Sequence, residues 1–169
     1  MAAVAPGGRA RGFGLGVGPL IFIPALTYLL VLVPLRLKGG HWLGWSFLPR
    51  PVCLPPAYVL LGLGLSCYLL AFRQLRRAAR AGRLATRGMF RCCRHPIYAS
   101  WILVILPGLS LALGTVLAFA VVPYALLVFR LFIRGEEREL ERRFGGAYRA
   151  YRDRTLALIP WPPRWRRRR

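Results

Sequence analysis

Acidic residues are scarce in this sequence. Only 5 of its 169 residues are Asp or Glu, against 26 Lys or Arg, and the formal net charge is +21. All five acids lie between Glu136 and Asp153. Because 56% of the residues are hydrophobic and the basic residues fall in separate blocks, the composition excludes an ordinary soluble domain.

Cysteines and histidines are also scarce, and the positions of the four cysteines and two histidines predict neither a disulfide framework nor a structural zinc site. Cys53 and Cys67 lie at or within an apolar run, where small packing residues are expected. Cys92 and Cys93 stand close to His95, but structural zinc needs four ligands and the sequence has no second ligand pair. We therefore predict no metal site, and leave lipidation of the juxtamembrane cysteines open.

Long uncharged runs dominate what is present. Two runs contain no charged residue, and a third, residues 97–133, contains only Arg130. A bilayer core of about 30 Å is crossed by about 20 helical residues, so the third run is too long for one helix and should turn near Gly114. The sequence therefore predicts an all-α integral membrane protein with about four transmembrane helices. The expected spans are residues 19–35, 52–72, 97–113 and 115–133.

The arginines indicate how these spans are oriented. Residues 73–94 contain eight arginines and no acid, and the chain ends in "RWRRRR". The positive-inside rule places both segments in the cytoplasm, with both termini on that side. The first span reads as a retained anchor, and the three basic residues of the loop 36–50, on the predicted outer side, oppose its expected orientation. We expect a plasma membrane protein, of the bacterial inner membrane.

Two other features carry no predicted chemistry. The segment "GFGLGVG" at residues 12–18 lacks the strand and helix of a nucleotide-binding βαβ unit, and His41 stands beside tryptophans like an interfacial belt residue. Arginine clusters also suit nucleic acid, but no soluble module presents them here. Contacts with anionic lipid headgroups are expected instead.

The acidic segment after the fourth span predicts an amphipathic cytoplasmic helix. Its apolar residues recur at spacings of three and four, and Gly145 and Gly146 should bend or break it. Glu139 and Glu141 are expected to do no more than keep this helix soluble. Glu136 and Glu137 differ, because they stand one turn beyond the last apolar residue of the span, where a carboxylate is paired or functional.

The predicted hairpin brings two charged ends together. Because one helix begins near residue 97 and the next ends near residue 133, His95 and Tyr98 should lie level with Arg134 and the two glutamates. Pro96 suits the first turn of a helix, which would hold His95 at the membrane boundary. Such a cluster is either a cofactor pocket or a structural salt-bridge network, and spacing alone leaves both open.

Two linked motifs resemble the isoprenylcysteine carboxyl methyltransferase family and related bacterial membrane methyltransferases. They read "LATRGMFRCCRHPIYAS" and "EERELERRFGGAYRAYRDRTLALIPW". The shared pattern is a glycine and an aromatic before Arg-His-Pro-x-Tyr, then Glu-Glu and Phe-Gly-x-x-Tyr-x-x-Tyr up to Ile-Pro. The resemblance covers residues 84–161, and Met89 and Cys92 depart from the residues common in the family.

The resemblance implies an S-adenosylmethionine-dependent membrane methyltransferase. Its acceptor would be lipid-borne or apolar, such as the carboxylate of a prenyl-cysteine-like group or a phospholipid amine. The cofactor-binding residues it implies are Gly88, Met89, Phe90, His95, Pro96, Tyr98 and Glu136. Arg130 or Arg134 would face the methyl acceptor, and Glu137 is the third candidate catalytic residue.

Two other classes of protein stay open. A membrane reductase of the sterol-reductase type would bind a nicotinamide cofactor, and the arginines of residues 73–94 would bind its 2′-phosphate. A non-enzymatic membrane adaptor would use the same basic surface to recruit anionic lipid or partner proteins. The sequence does not indicate the oligomeric state or the site of methylation.

Overall fold

The computed structural model of the chain describes residues 18–38 and 50–159. Seven α-helices account for most of these residues, and no β-strand occurs among them. A π-helical segment, Trp101–Ile105, joins α4 to α5, and a 3₁₀ segment, Val116–Ala120, precedes α6. The α-helices are α1 Gly18–Leu37, α2 Arg50–Arg80, α3 Met89–Cys92, α4 Pro96–Ser100, α5 Leu106–Leu113, α6 Val121–Phe144 and α7 Gly146–Arg152. The predictions for residues 12–17, His41, most of the 36–50 loop and the arginine tail lie outside the described residues.

Four helical segments are long and apolar enough to cross a membrane. They are Gly18–Leu35, Pro51–Arg80, Pro96–Leu113 and Val116–Phe144. Their outward side chains include Leu30, Val59 and Leu131, which are exposed. Lipid tails solvate such surfaces, and a helix bonds its own backbone groups, so exposed leucine and valine are expected there. The predicted all-α integral membrane fold is confirmed.

The third and fourth spans form a hairpin that turns at Gly114, as predicted. Gly114 ends α5 in the left-handed conformation, with φ 64° and ψ 37°, and its N–H donates to the carbonyls of Ser110 and Leu111. Glycine adopts this conformation without a steric penalty. The Ser110 hydroxyl also donates to the carbonyls of Leu106 and Ala118, at 2.8 and 2.9 Å, which ties the two sides of the turn together.

The first two spans pack on this hairpin from different sides. From α1, Ile21, Ala25 and Leu29 join the buried core with residues of α5 and α6. From α2, Gly64 lies so close to the third span that a β-carbon there would be 2.6 Å from Ile105 Cγ1. Small residues permit such close approach between helices in membranes. The position of α2 relative to the hairpin is therefore tightly constrained.

Two helices extend further than the sequence predicted. α2 continues to Arg80, beyond the expected end at residue 72, and α6 continues past residue 133 to Phe144. Arginine, glutamate and leucine are good helix formers and outweigh the single Gly135, so α6 continues to Gly145, where φ is 55°. The expected amphipathic helix therefore begins as part of α6, and only α7 is a separate element.

Candidate active site at the ends of the hairpin

The start of the third span places a histidine at the edge of the helix. Pro96 is the first residue of α4, where its missing N–H costs no hydrogen bond, and His95 is the residue before it. The backbone N–H groups of Arg94 and His95 donate to the carbonyls of Leu156 and Ala157, at 2.8 and 3.0 Å. The segment after α7 is thereby fixed against the histidine.

Glu137, from α6, is the centre of a buried charge cluster. Its Oε1 atom lies 2.8 Å from Arg94 Nη2, 3.0 Å from Arg94 Nε and 3.3 Å from His95 Nε2. Only 13% of the Arg94 side chain, 16% of Glu137 and 4% of His95 is exposed. The cluster is therefore well shielded from solvent, and His95 is held by a carboxylate.

Arg94 also joins this cluster to the end of the described chain. Its Nη1 atom donates to the carbonyls of Arg152 and Thr155, both at 2.9 Å. One guanidinium therefore binds a carboxylate and two main-chain carbonyls. Lysine could not make the same contacts, because it lacks the several N–H donors that the guanidinium presents in one plane.

Glu136 is bound separately from Glu137, by a tyrosine of the third span. The Tyr98 hydroxyl donates to Glu136 Oε2 at 2.9 Å, and the other carboxylate oxygen has no hydrogen-bond partner among the described residues. The rings of His95, Tyr98 and Phe129 pack beside this pair, with centroids 5.6 to 5.9 Å apart. The site therefore offers one open carboxylate oxygen next to aromatic rings.

The glycine before α3 adopts a backbone conformation that other residues rarely take. Gly88 has φ 62° and ψ −126°, and a β-carbon there would lie 2.4 Å from Gln74 Nε2. The next N–H, of Met89, donates to Gln74 Oε1 at 2.9 Å. Phe90 is buried, and its carbonyl accepts a hydrogen bond of 2.5 Å from the Tyr151 hydroxyl.

The structure brings together only some of the residues that the sequence singled out. His95, Pro96, Tyr98, Glu136 and Glu137 meet at the ends of the hairpin. Gly88, Met89 and Phe90 lie on and before α3, which is bonded to α2 and α7. Arg130 and Arg134 are exposed and make no hydrogen bond or ion pair with a described residue. Their predicted roles, like those of the other site residues, stay predictions.

Four residues of the site were not among the candidate site residues predicted from the sequence. Arg94 stood inside the quoted motif without a role of its own, and Gln74 is an uncharged residue within a run of arginines. Tyr148 is fully buried, and burial, followed by the Glu137 charge, raises the pKa of its phenol. Burial also raises the pKa of Tyr151, so both tyrosines are neutral at physiological pH. Their spacing on an apolar stripe was the available signal.

The cysteines do not form a metal site among the described residues. No group of three or more His, Cys, Asp and Glu side chains there could hold a metal ion. Cys92 is exposed, whereas Cys93 is buried, and burial raises the pKa of its thiol to about 11. Cys93 is therefore a neutral packing residue, and Cys92 is the accessible thiol of the pair.

A comparison with known protein families identifies the family to which this chain belongs. The model of the Isoprenylcysteine carboxyl methyltransferase (ICMT) family matches residues 58–142, about half of the chain. The protein is therefore an integral membrane member of the ICMT family, and the resemblance predicted from the two motifs is confirmed.

Two curated relatives are similar to this chain, both from Bradyrhizobium diazoefficiens. Methanethiol S-methyltransferase 2 is 30% identical over 125 residues, which cover 73% of this chain and 45% of the relative. Methanethiol S-methyltransferase 1 is 35% identical over 79 residues, which cover 47% of this chain and 27% of the relative. The chain thus matches less than half the length of either relative. No solved structure matches it significantly.

Proposed function

We propose that this protein is an integral-membrane methyltransferase that uses S-adenosylmethionine and methylates a lipophilic acceptor. One observation carries the proposal: Glu136 and Glu137, at the end of α6, are held against Arg94, His95 and Tyr98 at the start of the third span. In a chain of the ICMT family, this arrangement joins the two motifs that define the resemblance.

The chemistry of the side chains fits this cofactor. The open carboxylate oxygen of Glu136 can accept hydrogen bonds from amino or hydroxyl groups, and the Tyr98 hydroxyl holds the carboxylate in place. The rings of Tyr98 and Phe129 pack together beside this carboxylate, and such rings favour a nearby cation. When bound, the cofactor supplies an electrophilic methyl group on a positively charged sulfur.

The protein's own residues then have to align the acceptor and manage one proton. A carboxylate acceptor needs no base, whereas a thiol or an amine must lose a proton. His95 is suited to accept this proton, because its Nδ1 is the basic nitrogen when its Nε2–H is donated to Glu137 Oε1. We propose that Glu137 acts through this contact, and that the exposed Arg130 and Arg134 meet the acceptor.

The names of the two relatives add sulfur to the possible acceptor atoms. Both are called methanethiol S-methyltransferases. We propose that an apolar thiol joins the prenyl-cysteine-like carboxylate and the phospholipid amine as a candidate acceptor of this protein. In all three cases the acceptor reaches the site from the bilayer side of the hairpin.

Labelled methyl transfer in proteoliposomes tests the proposal. Purified protein with methyl-labelled S-adenosylmethionine should label at least one acceptor from a panel containing an alkanethiol, a prenyl-cysteine and a phospholipid amine. Glu136→Gln should reduce the rate at least about tenfold, as for loss of a hydrogen bond to a charged group. Arg142→Ala, which changes a pair exposed on α6, is the matched control. No transfer to any acceptor by folded protein would contradict the proposal.

We also propose that the site faces the cytoplasm, on the basis of the arginine-rich segment from Arg73 to Arg94. The exposed thiol of Cys92 lies in that segment and makes the test simple. In sealed cells, a membrane-impermeant maleimide should leave Cys92 unlabelled until the membrane is opened, and Cys92→Ser should remove that labelling. Because the Cys93 thiol is buried and protonated, it should stay unlabelled in folded protein. Labelling of Cys92 from outside would place the site on the wrong side for a cytosolic cofactor.

A further inference from the structure

The four-residue helix α3 is held at both ends by side chains from distant parts of the chain. At its start, the Met89 N–H has no acceptor within so short a helix and donates to Gln74 Oε1 at 2.9 Å. Further along, the Tyr151 hydroxyl donates to the carbonyl of Phe90, the second residue of α3, and lies 3.5 Å from the carbonyl of Cys93, the residue after the helix. Gln74 belongs to α2 and Tyr151 to α7, so α3 is hydrogen-bonded to both the second span and the C-terminal helix.

Gly88 allows this loop to lie directly on the Gln74 side chain. A β-carbon at Gly88 would fall 2.4 Å from Gln74 Nε2 and 2.6 Å from Gln74 Cδ, closer than van der Waals contact permits. The glycine therefore serves two needs at once: a positive φ of 62° and room for the amide. The contact fixes the position of the loop relative to α2.

The surroundings of Gln74 indicate why this position is not another arginine. Its neighbours Arg73, Arg76 and Arg77 are exposed, whereas Gln74 is half-buried. Arginine and lysine carry only donors and could not accept the Met89 N–H. α2 is itself fixed against the third span by the close packing of Gly64 on Ile105. Gln74 therefore stands on a rigid support, packed against the span that begins beside His95.

We infer that Gln74 is a positioning residue of the methyl-donor site: it holds Gly88, Met89 and Phe90, the residues that the family resemblance implies for cofactor binding, at the start of the segment that leads into Arg94 and His95. The inference rests on the proposed function. It extends the site beyond residues 84–161, and it gives the second span a part in cofactor binding rather than in membrane anchoring alone.

Three variants on α2 separate this role from a general effect on folding. Gln74→Leu removes the acceptor at similar size, and Gln74→Glu keeps an acceptor oxygen. Ser66→Ala is the matched control, because among the described residues the Ser66 hydroxyl bonds only to Gly62 O of its own helix. Without cofactor, hydrogen exchange at the Met89 amide should quicken in Gln74→Leu and stay near the parent rate in the other two.

The second readout is calorimetric titration with S-adenosylhomocysteine in detergent. Gln74→Leu should bind about three- to tenfold more weakly, as for loss of one hydrogen bond. Gln74→Glu and Ser66→Ala should stay within about twofold of the parent, and all melting temperatures should be similar.

Parent-like exchange and binding in Gln74→Leu would overturn the inference while leaving the proposed function intact. Equal losses in the leucine and glutamate variants, with lowered melting temperatures, would also overturn it, since the acceptor oxygen would then not be the cause. If the parent protein does not bind S-adenosylhomocysteine at all, both the proposed function and the inference are contradicted.

Discussion

Arg94→Ala should lower the free energy of unfolding by about 3 kcal/mol, because it leaves the Glu137 carboxylate, which is only 16% exposed, without the arginine that neutralises its charge. The same change removes the donors to the carbonyls of Arg152 and Thr155. The segment after α7 should therefore loosen before the spans unfold. Thermal unfolding in detergent and hydrogen exchange of residues 152–157 measure the two effects.

A matched surface pair provides the control for this change. Arg142 binds Glu139 on the same helix at 3.1 Å, but the two side chains are 75% and 69% exposed. Exposed pairs contribute less than about 1 kcal/mol, so Arg142→Ala should unfold nearly like the parent. Arg94→Lys should fall between the two, because lysine keeps the charge and loses the planar donors. If Arg94→Ala unfolds like Arg142→Ala, the cluster does not hold the C-terminal segment.

The second large effect is expected on cofactor binding. His95→Ala and Glu136→Gln should each weaken binding of S-adenosylhomocysteine by roughly 1 to 3 kcal/mol, the range for a hydrogen bond involving a charged group. In the double variant, the loss of binding free energy should be smaller than the sum of the two single losses, because both residues would contact the same ligand. The two residues are also linked through Tyr98, whose ring packs against His95 and whose hydroxyl binds Glu136.

Arg77→Glu is the control that separates the enzyme from a polybasic adaptor. Arg77 is exposed on α2 and makes no ion pair with a described residue. Its replacement should leave S-adenosylhomocysteine affinity near that of the parent and weaken attachment to anionic vesicles. An adaptor would show the opposite dependence, with the basic surface essential and His95 dispensable.

The sequence was most informative where charge interrupts apolar runs. The lengths of those runs predicted four spans and a turn at Gly114, and that turn placed His95 and Tyr98 level with the two glutamates. Helix geometry was sufficient for this prediction, since both ends of a hairpin lie at one membrane level. Pro96 also indicated the start of the third span, because proline is favoured in the first turn of a helix.

Contacts that depend on the return of a distant segment could not be predicted in this way. Arg94 binds the main-chain carbonyls of Arg152 and Thr155. Every residue has such a carbonyl, so the sequence does not show which ones will be bonded. The Gln74 contact with Met89 depends on α2 continuing as a helix beyond residue 72, whereas the uncharged run ends there. The π-helical segment inside the third span, Trp101–Ile105, likewise has no sequence periodicity that distinguishes it from an α-helix.

Titration of the detergent-purified parent protein with S-adenosylhomocysteine and, separately, with a reduced nicotinamide dinucleotide phosphate tests the proposed function most directly. The charge cluster, the open oxygen of Glu136 and membership of the ICMT family predict saturable binding of the first ligand, weakened in the His95→Ala Glu136→Gln double variant, and no binding of the second. Binding of the nicotinamide cofactor alone would contradict the methyltransferase assignment and support the reductase.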